Sequence, residues 1–400
     1  MIVRLADVNE QRRGFRRMVA LEFQPHVRTP DPARSPLTSV PFAVKENIDI
    51  GGFPTQAGLA RAPPPADADA PCVARLRAAG AVLVGQTAMD EAALGSSNDN
   101  PHYGRTMNPR RAGYTPGGSS GGSAVAVASG AVRFALGTDT LGSVRIPAAY
   151  CGIAGFKPSF DRVPSIGVKR LAPSLDHVGV LAESVDMAAA AFDAMAQDAR
   201  KLDTPSRAVI GVPDSLSAVD LEPAVHNAFE RALKTLRERG DTVRVVPTPG
   251  WIPVTARKAA FLLIEVEAAA VYLKWLDDPQ APLSARLKEF LRYGRDCSPE
   301  RLAGARAEVS RCRVAIEEAL AEVDVLALPT CPQVAFPFEM KTPLNQAELT
   351  TPANLAGAPA ISIPIPAEDL PIGFQLMAAR GTDERLLAIA ARTASAFGAA

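Results

Sequence analysis

Three side chains far apart in the chain, Lys45, Ser119 and Ser143, have the types needed for nucleophilic hydrolysis without histidine. Ser143 lies in the segment Gly137-Thr138-Asp139-Thr140-Leu141-Gly142-Ser143-Val144-Arg145-Ile146-Pro147. A strand-like run, Val132 to Leu136, leads directly into it. The tight polar turn is expected to set Ser143 Oγ and several backbone N–H groups on one concave face, a nucleophile beside an oxyanion hole. Ser119 sits in the run Gly117-Gly118-Ser119-Ser120-Gly121-Gly122-Ser123, whose small residues let backbone approach backbone. Lys45 ends the apolar, β-like stretch Pro41-Phe42-Ala43-Val44, where an ordinary surface lysine is not expected. A lysine at a strand end, taken alone, reads as a solvated ammonium; beside two serine turns it reads as a base.

Other chemistries compete for the same residues. A glycine-rich loop entering a helix presents N–H groups to phosphate, but a P-loop ends in Gly-Lys-Ser/Thr, and here Gly122-Ser123 has no lysine nearby. Gly117 to Gly121 and Gly118 to Gly122 both match the nucleophile-elbow pattern G-x-S-x-G. The elbow needs a buried strand before the serine, and MNPRRAGYTP is polar and proline-broken. It also needs a downstream acid followed by histidine, for which only His177 and His226 are available. For an isolated Gly-Thr-Asp segment, the bland alternative is that Asp139 and Arg145 simply pair while the serines cap turns.

Composition narrows the function classes. The 400 residues are 47% hydrophobic and 22% charged, ample for a large globular core. Lys plus Arg and Asp plus Glu each number 43, so the net charge is zero and gives no support for nucleic acid or a membrane as partner. No apolar run reaches membrane-spanning length and the start has no apolar leader core, which reads as a cytoplasmic protein. Five widely spaced cysteines with no Cys-x-x-Cys pair read as reduced thiols. Four scattered histidines make a histidine-rich metal site hard to build.

The elements that must position the three residues alternate along the chain. Candidate strands are Val40–Val44, Ala81–Gly85, Val132–Leu136, Val209–Val212, Val243–Val246, Val325–Leu328, Ala360–Pro364 and Ile372–Met377. Candidate helices between them are Ala70–Ala79, Ser123–Gly130, Val185–Met195, Pro223–Arg239 and Asp383–Ala396. This predicts an α/β fold, a mixed twisted sheet covered by helices on both faces. One domain over 1–400 is expected: a catalytic region over 37–192, an Ala/Leu/Glu/Arg-rich helical cap over 251–323, and closing strands with a C-terminal helix over 324–400.

The motifs in order, PFAVKENID, GQTAMDEAALGSSNDN, TPGGSSGGSAVAVASG, LGTDTLGSVRIPAAYCGIAGFKPS and SLDHVG, resemble the amidase signature family from about Leu37 to Phe192. VDVLALPTCP, TTPANLAGAPAISIP and LPIGFQLMAARGTDERLLAIA resume the likeness near the C-terminus. The resemblance implies a Ser–cis-Ser–Lys triad carried onto Ser143, Ser119 and Lys45, with a cis Gly118–Ser119 peptide. It implies an oxyanion hole from the N–H groups of Thr140, Leu141, Gly142 and Ser143, and no metal or organic cofactor. The implied reaction cleaves a small linear carboxamide through a Ser143 acyl-enzyme. Leu141 departs from the family, which usually has glycine there. A branched side chain in that turn is expected to restrict the acyl group, and it weakens the oxyanion hole if it cannot adopt the dihedrals of the usual glycine.

Asp139 and Arg145 are expected to support the nucleophile turn as an ion pair, with capture of a substrate carboxylate by Arg145 as the lesser alternative. His177 is expected to belong to a turn before a strand. Ser120 and Ser123 are expected to cap the helix after the loop, Asp90 and Glu91 to open another, and Cys151 to pack as a small hydrophobe. The expected partner is a small-molecule amide, and a homodimer is left open because Lys45 is reached sooner than in many members. Two rivals remain at this level: the A-type component of a tRNA-dependent amidotransferase and a non-catalytic binding module.

Overall fold

The computed structural model describes residues 14–18, 35–196, 198 and 206–398. Most of the first nineteen residues, read above for a leader, lie outside the described set. The strands are β1 (Phe15–Met18), β2 (Pro41–Lys45), β3 (Val82–Thr87), β4 (Asp99–Asn100), β5 (Gly104–Arg105), β6 (Phe134–Asp139), β7 (Ala154–Lys157), β8 (His177–Ala182), β9 (Val209–Pro213), β10 (Thr242–Val246), β11 (Val325–Pro329), β12 (Ala360–Ile365) and β13 (Ile372–Met377). The helices are α1 (Pro71–Ala78), α2 (Gly121–Ala128), α3 (Arg145–Cys151), α4 (Val185–Met195), α5 (Pro223–Glu238), α6 (Pro253–Val271), α7 (Leu273–Leu276), α8 (Ala285–Arg295), α9 (Pro299–Ala321), α10 (Thr351–Leu355) and α11 (Asp383–Ala396).

Eleven strands form one sheet in the order β1-β3-β2-β6-β8-β7-β12-β13-β11-β9-β10, and β4 pairs with β5 in a separate ribbon. The sheet is mixed. β2 runs parallel to β3 and β6, and β9 parallel to β10 and β11, whereas β8, β7, β12 and β13 join antiparallel neighbours. A strand buried on both faces needs apolar residues at every position. Phe134–Asp139 is buried throughout, and Phe42 stacks on Phe134 across the β2–β6 pair with ring centroids 5.3 Å apart.

The eight strands expected from the sequence are all present, most displaced by one to three residues. Two central strands and two short helices carried no period. β7, AGFK, is only four residues long, and β8, HVGVLA, interrupts its apolar residues with histidine and glycine. α3 begins two residues after Ser143, holds Pro147, and is buried at all seven positions, so it has no polar face to mark a helical repeat. Gly152 ends it in the left-handed conformation at φ 66°. The 251–323 segment is helical as expected, with α6 packing against α8 and α9.

Candidate active site

The parallel pairing of β2 with β6 sets Lys45 at a strand end beside Thr138. Its side chain is fully buried. Nζ donates to Ser119 Oγ at 2.8 Å and to Thr138 Oγ1 at 2.8 Å, with the Thr138 carbonyl at 3.5 Å. Among the described residues no carboxylate lies within ion-pairing distance of Nζ. Burial therefore dominates and pulls the ammonium down to about 7, although Asp90, Asp176, Asp139 and Glu46 act from farther off to raise it.

The Gly-Ser loop reaches this ammonium because its residues are small. A Cβ on Gly118 would stand 2.0 Å from Asp90 Oδ2, and one on Gly122 2.3 Å from the Ala88 carbonyl. The Gly118–Ser119 peptide bond is cis. Ser119 is fully buried, and the Ser120 N–H donates to the Ser143 carbonyl at 3.2 Å, drawing the two serine turns together. The Ser143 hydroxyl makes no side-chain hydrogen bond among the described residues and faces a cavity of about 740 Å³. Ser120 does occupy the position before α2, yet its hydroxyl donates to the Thr138 carbonyl, and that of Ser123 to the Leu136 carbonyl. The expected caps instead tie the loop to β6.

Asp139 holds the turn that carries Ser143. Its Oδ1 accepts from Gly142 N–H at 2.7 Å and its Oδ2 from Val144 N–H at 3.2 Å. Arg145 meets it twice, Nε to Oδ2 at 3.0 Å and Nη2 to Oδ1 at 2.9 Å, and both side chains are fully buried. Burial by itself would raise the Asp139 carboxyl, but the Arg145 charge and hydrogen bonds overcome it and hold the group well below the usual carboxylate range. The remaining Arg145 donors go to Thr350 O, Gln375 Oε1 and Asn354 Oδ1. All five guanidinium N–H groups are thus taken, leaving none for a substrate carboxylate.

The N–H groups of Thr140, Leu141, Gly142 and Ser143 do not behave alike. Gly142 N–H is committed to Asp139, whereas those of Thr140, Leu141 and Ser143 donate to no acceptor among the described residues. The left-handed demand in the turn falls on Gly142, at φ 125°, where a Cβ would lie 2.4 Å from Thr350 Oγ1. Leu141 carries no positive φ, so its side chain is sterically ordinary and lines the cavity.

Two positions missed by the residue-type search are brought in by the fold. Thr138 is the second partner of Lys45. Asp176 accepts from Thr140 Oγ1 at 2.7 Å and from the N–H groups of Leu171 and Ala172, clamping the loop before β8 onto the Ser143 turn. The signal for both lay in motifs already singled out, GTD and SLDHVG. His177 itself is buried, with Nδ1 2.6 Å from the Leu175 carbonyl, and burial holds it well below the ordinary histidine range. Cys151 is buried and its thiol is pushed up to about 12. Asp90 stands before a short 3-10 turn, Glu91–Ala93, rather than an α-helix, and accepts from Asn98 N–H. Among the described residues no cluster of three His, Cys, Asp or Glu side chains is placed to hold a metal, and no helix is long and apolar enough to cross a membrane.

The Amidase family model matches residues 22–387. The A-type component of the glutamyl-tRNA(Gln) amidotransferase of Thermus thermophilus is 38% identical over 407 aligned positions, covering 90% of this chain and 84% of that one. A crystal structure of an amidase superposes with a TM-score of 0.85 at 35% identity, covering 91% of this chain and 86% of the other. The allophanate hydrolase of Kluyveromyces lactis follows at 0.82 and 28%, covering 91% of this chain and 63% of that one. With matches of that extent over the strands and turns that carry Lys45, Ser119 and Ser143, the chain belongs to the Amidase family, the amidase signature enzymes that hydrolyse amides.

Proposed function

We propose that the protein hydrolyses a linear carboxamide to a carboxylate and ammonia, with Ser143 as nucleophile, Ser119 as proton relay and Lys45 as base. The observation that carries this reading is the environment of Lys45, a fully buried amine bonded to hydroxyls rather than to a carboxylate. Neutral Lys45 accepts the Ser119 proton, Ser119 accepts that of Ser143, and the Ser143 oxygen bonds to the amide carbon. The N–H groups of Thr140, Leu141 and Ser143 are the free donors for the oxyanion. As the tetrahedral adduct collapses, the C–N bond breaks and Ser119 returns a proton to the leaving nitrogen. Water then attacks the ester, and its proton runs the same route back to free Ser143.

A fluorophosphonate probe with peptide mass spectrometry is expected to mark Ser143 alone. Label on Ser120 or a cysteine would sink the assignment. Since the base must be neutral, kcat/KM is expected to rise with pH through about 7 and to level off above it. Asp176 supplies a sharper check. Asp176→Asn keeps the shape but weakens the hold on Thr140, and it removes one of four negative charges, with Asp90, Asp139 and Glu46, that raise Lys45. The expected outcome is a kcat lower by about tenfold, typical of a misaimed donor at the mild end, together with an acidic limb moved to lower pH. A purely structural role would leave that limb in place.

The relatives named as amidotransferase components favour a second reading, in which the chain supplies ammonia inside a complex. Glutamine hydrolysis that appears only when partner proteins of such a complex are added would select it.

A further inference from the structure

The cavity in front of Ser143 is far larger than a three-carbon amide requires, at about 740 Å³ in the range that holds drug-sized ligands. Part of its wall is built from the 251–323 helices and the loop after β11: Phe261 and Ile264 of α6, Leu287 and Phe290 of α8, and Leu344. These apolar side chains give the acyl chain a non-polar passage.

The charges on that wall are unequal in their commitments. Glu91 accepts from Ser284 N–H, from Ser284 Oγ and from His102 Nε2. Asp99 is paired with Arg105 at 3.0 Å, Arg257 with Glu348 at 3.2 Å, and Asp90 accepts from Asn98 N–H. Arg286, in the first turn of α8, and Lys341, in the loop after β11, make no hydrogen bond or ion pair among the described residues. Both are exposed on the cavity wall. Arg286 acts on Asp90, which is buried beneath Gly118, from beyond ion-pairing distance. The uncommitted charge facing the cavity is therefore positive.

Resting on the amide-hydrolase reading above, we infer that the acyl group of the substrate is an apolar chain ending in a carboxylate, which Arg286 receives, with Lys341 a second positive charge lining the same cavity. That reading releases ammonia, so everything else the cavity holds belongs to the acyl part, and the substrate class is the monoamide of a medium-chain dicarboxylic acid. The carboxylate takes a planar, two-donor partner in Arg286. Arg145 cannot serve, because its donors are all used inside the fold.

Two measurements test this. Ammonia release is followed for dicarboxylic monoamides from malonamate to sebacamate and for fatty amides of the same chain lengths. The carboxylate series is expected to be favoured in kcat/KM by about tenfold or more at its best length, the weight of one charged hydrogen bond, through a lower KM. Arg286→Gln erases the preference, Arg286→Lys retains part of it, and added salt erodes it in the wild type. Arg286 is exposed and makes no hydrogen bond or ion pair among the described residues, so Arg286→Gln is expected to fold. Binding of the free diacids and of fatty acids to Ser143→Ala is measured in parallel by calorimetry, which needs no turnover. Equal kcat/KM for the two series, equal binding of diacid and fatty acid, or the same loss on both series in Arg286→Gln would overturn the inference. If Ser143 is labelled by fluorophosphonate while no preference appears, only the carboxylate inference falls. If Ser143 is unlabelled and diacids still bind through Arg286, the hydrolase reading falls and the anion site stands.

Discussion

Ser143→Ala and Lys45→Met are each expected to lower kcat by about 10⁴–10⁶-fold, and the double substitution by no more than the worse single one. Residues that pass one proton along one line act as a unit, so losing either end removes the whole relay. If the two losses multiply, Lys45 and Ser143 act independently and the relay through Ser119 is wrong. The stability of Lys45→Met separates a catalytic from a structural lysine. The folded-state pKa of Lys45, about 7, lies below its unfolded value, so its burial opposes folding in full at acidic pH, and the opposition fades as pH rises from about 7 to 10.5. Methionine removes that opposition. Its urea midpoint at pH 6 is expected to equal or exceed that of the wild type, while labelling of Ser143 is lost.

Arg145→Met is the second large effect and the opposite case. It leaves the Asp139 carboxylate fully buried with no ion-pair partner, only the more distant Lys157, at a cost of about 3–5 kcal/mol in denaturant unfolding. Two N–H groups of the Ser143 turn hang on that carboxylate, so activity is expected to fall with stability. The pH response carries the sign. In the wild type the folded-state pKa of Asp139 is depressed, so its contribution is present above the unfolded carboxyl pKa and lost on acidification. Without Arg145, burial raises that pKa, so the deficit of the variant narrows as pH falls. Asp139→Asn placed in the Arg145→Met background is expected to recover part of the stability by removing the unpaired charge, without recovering activity. A deficit that is flat with pH would mean that the pair is not the cause.

Much of the fold was legible because alternating apolar strands and long amphipathic helices announce themselves. α5 shows this plainly, with Val225, Phe229, Ala232, Leu233 and Leu236 buried along one stripe. Among the unread elements, β7 and β8 at the middle of the sheet and α3 against it have no polar face, while β4 and β5 are only two residues long. The site was legible as far as residue type allows. Lys45 Nζ reaches Ser119 Oγ at 2.8 Å and the Ser119 and Ser143 turns adjoin, but the caps expected of Ser120 and Ser123 became ties to β6, whose carbonyls accept from both hydroxyls and whose Thr138 N–H donates to Ser120 Oγ.

The sequence by itself determined which side chains are available: a lysine ending an apolar strand, two serines in glycine-rich turns, an aspartate and an arginine flanking one of them, and a scarcity of histidine. Tertiary structure decided what each is free to do. Lys157 also ends a strand, is also fully buried and is also lowered to about 7, yet its Nζ is spent on the carbonyls of Pro158 and Ala358 while that of Lys45 meets Ser119. Gly142 and Leu141 are neighbours, but only one has an uncommitted N–H. The physical reason is the same throughout. Burial, hydrogen-bond commitment and charge depend on partners brought together from positions 74 residues away for Lys45 and Ser119, and 230 away for Arg145 and Gln375, and those distances exist only once the chain has folded.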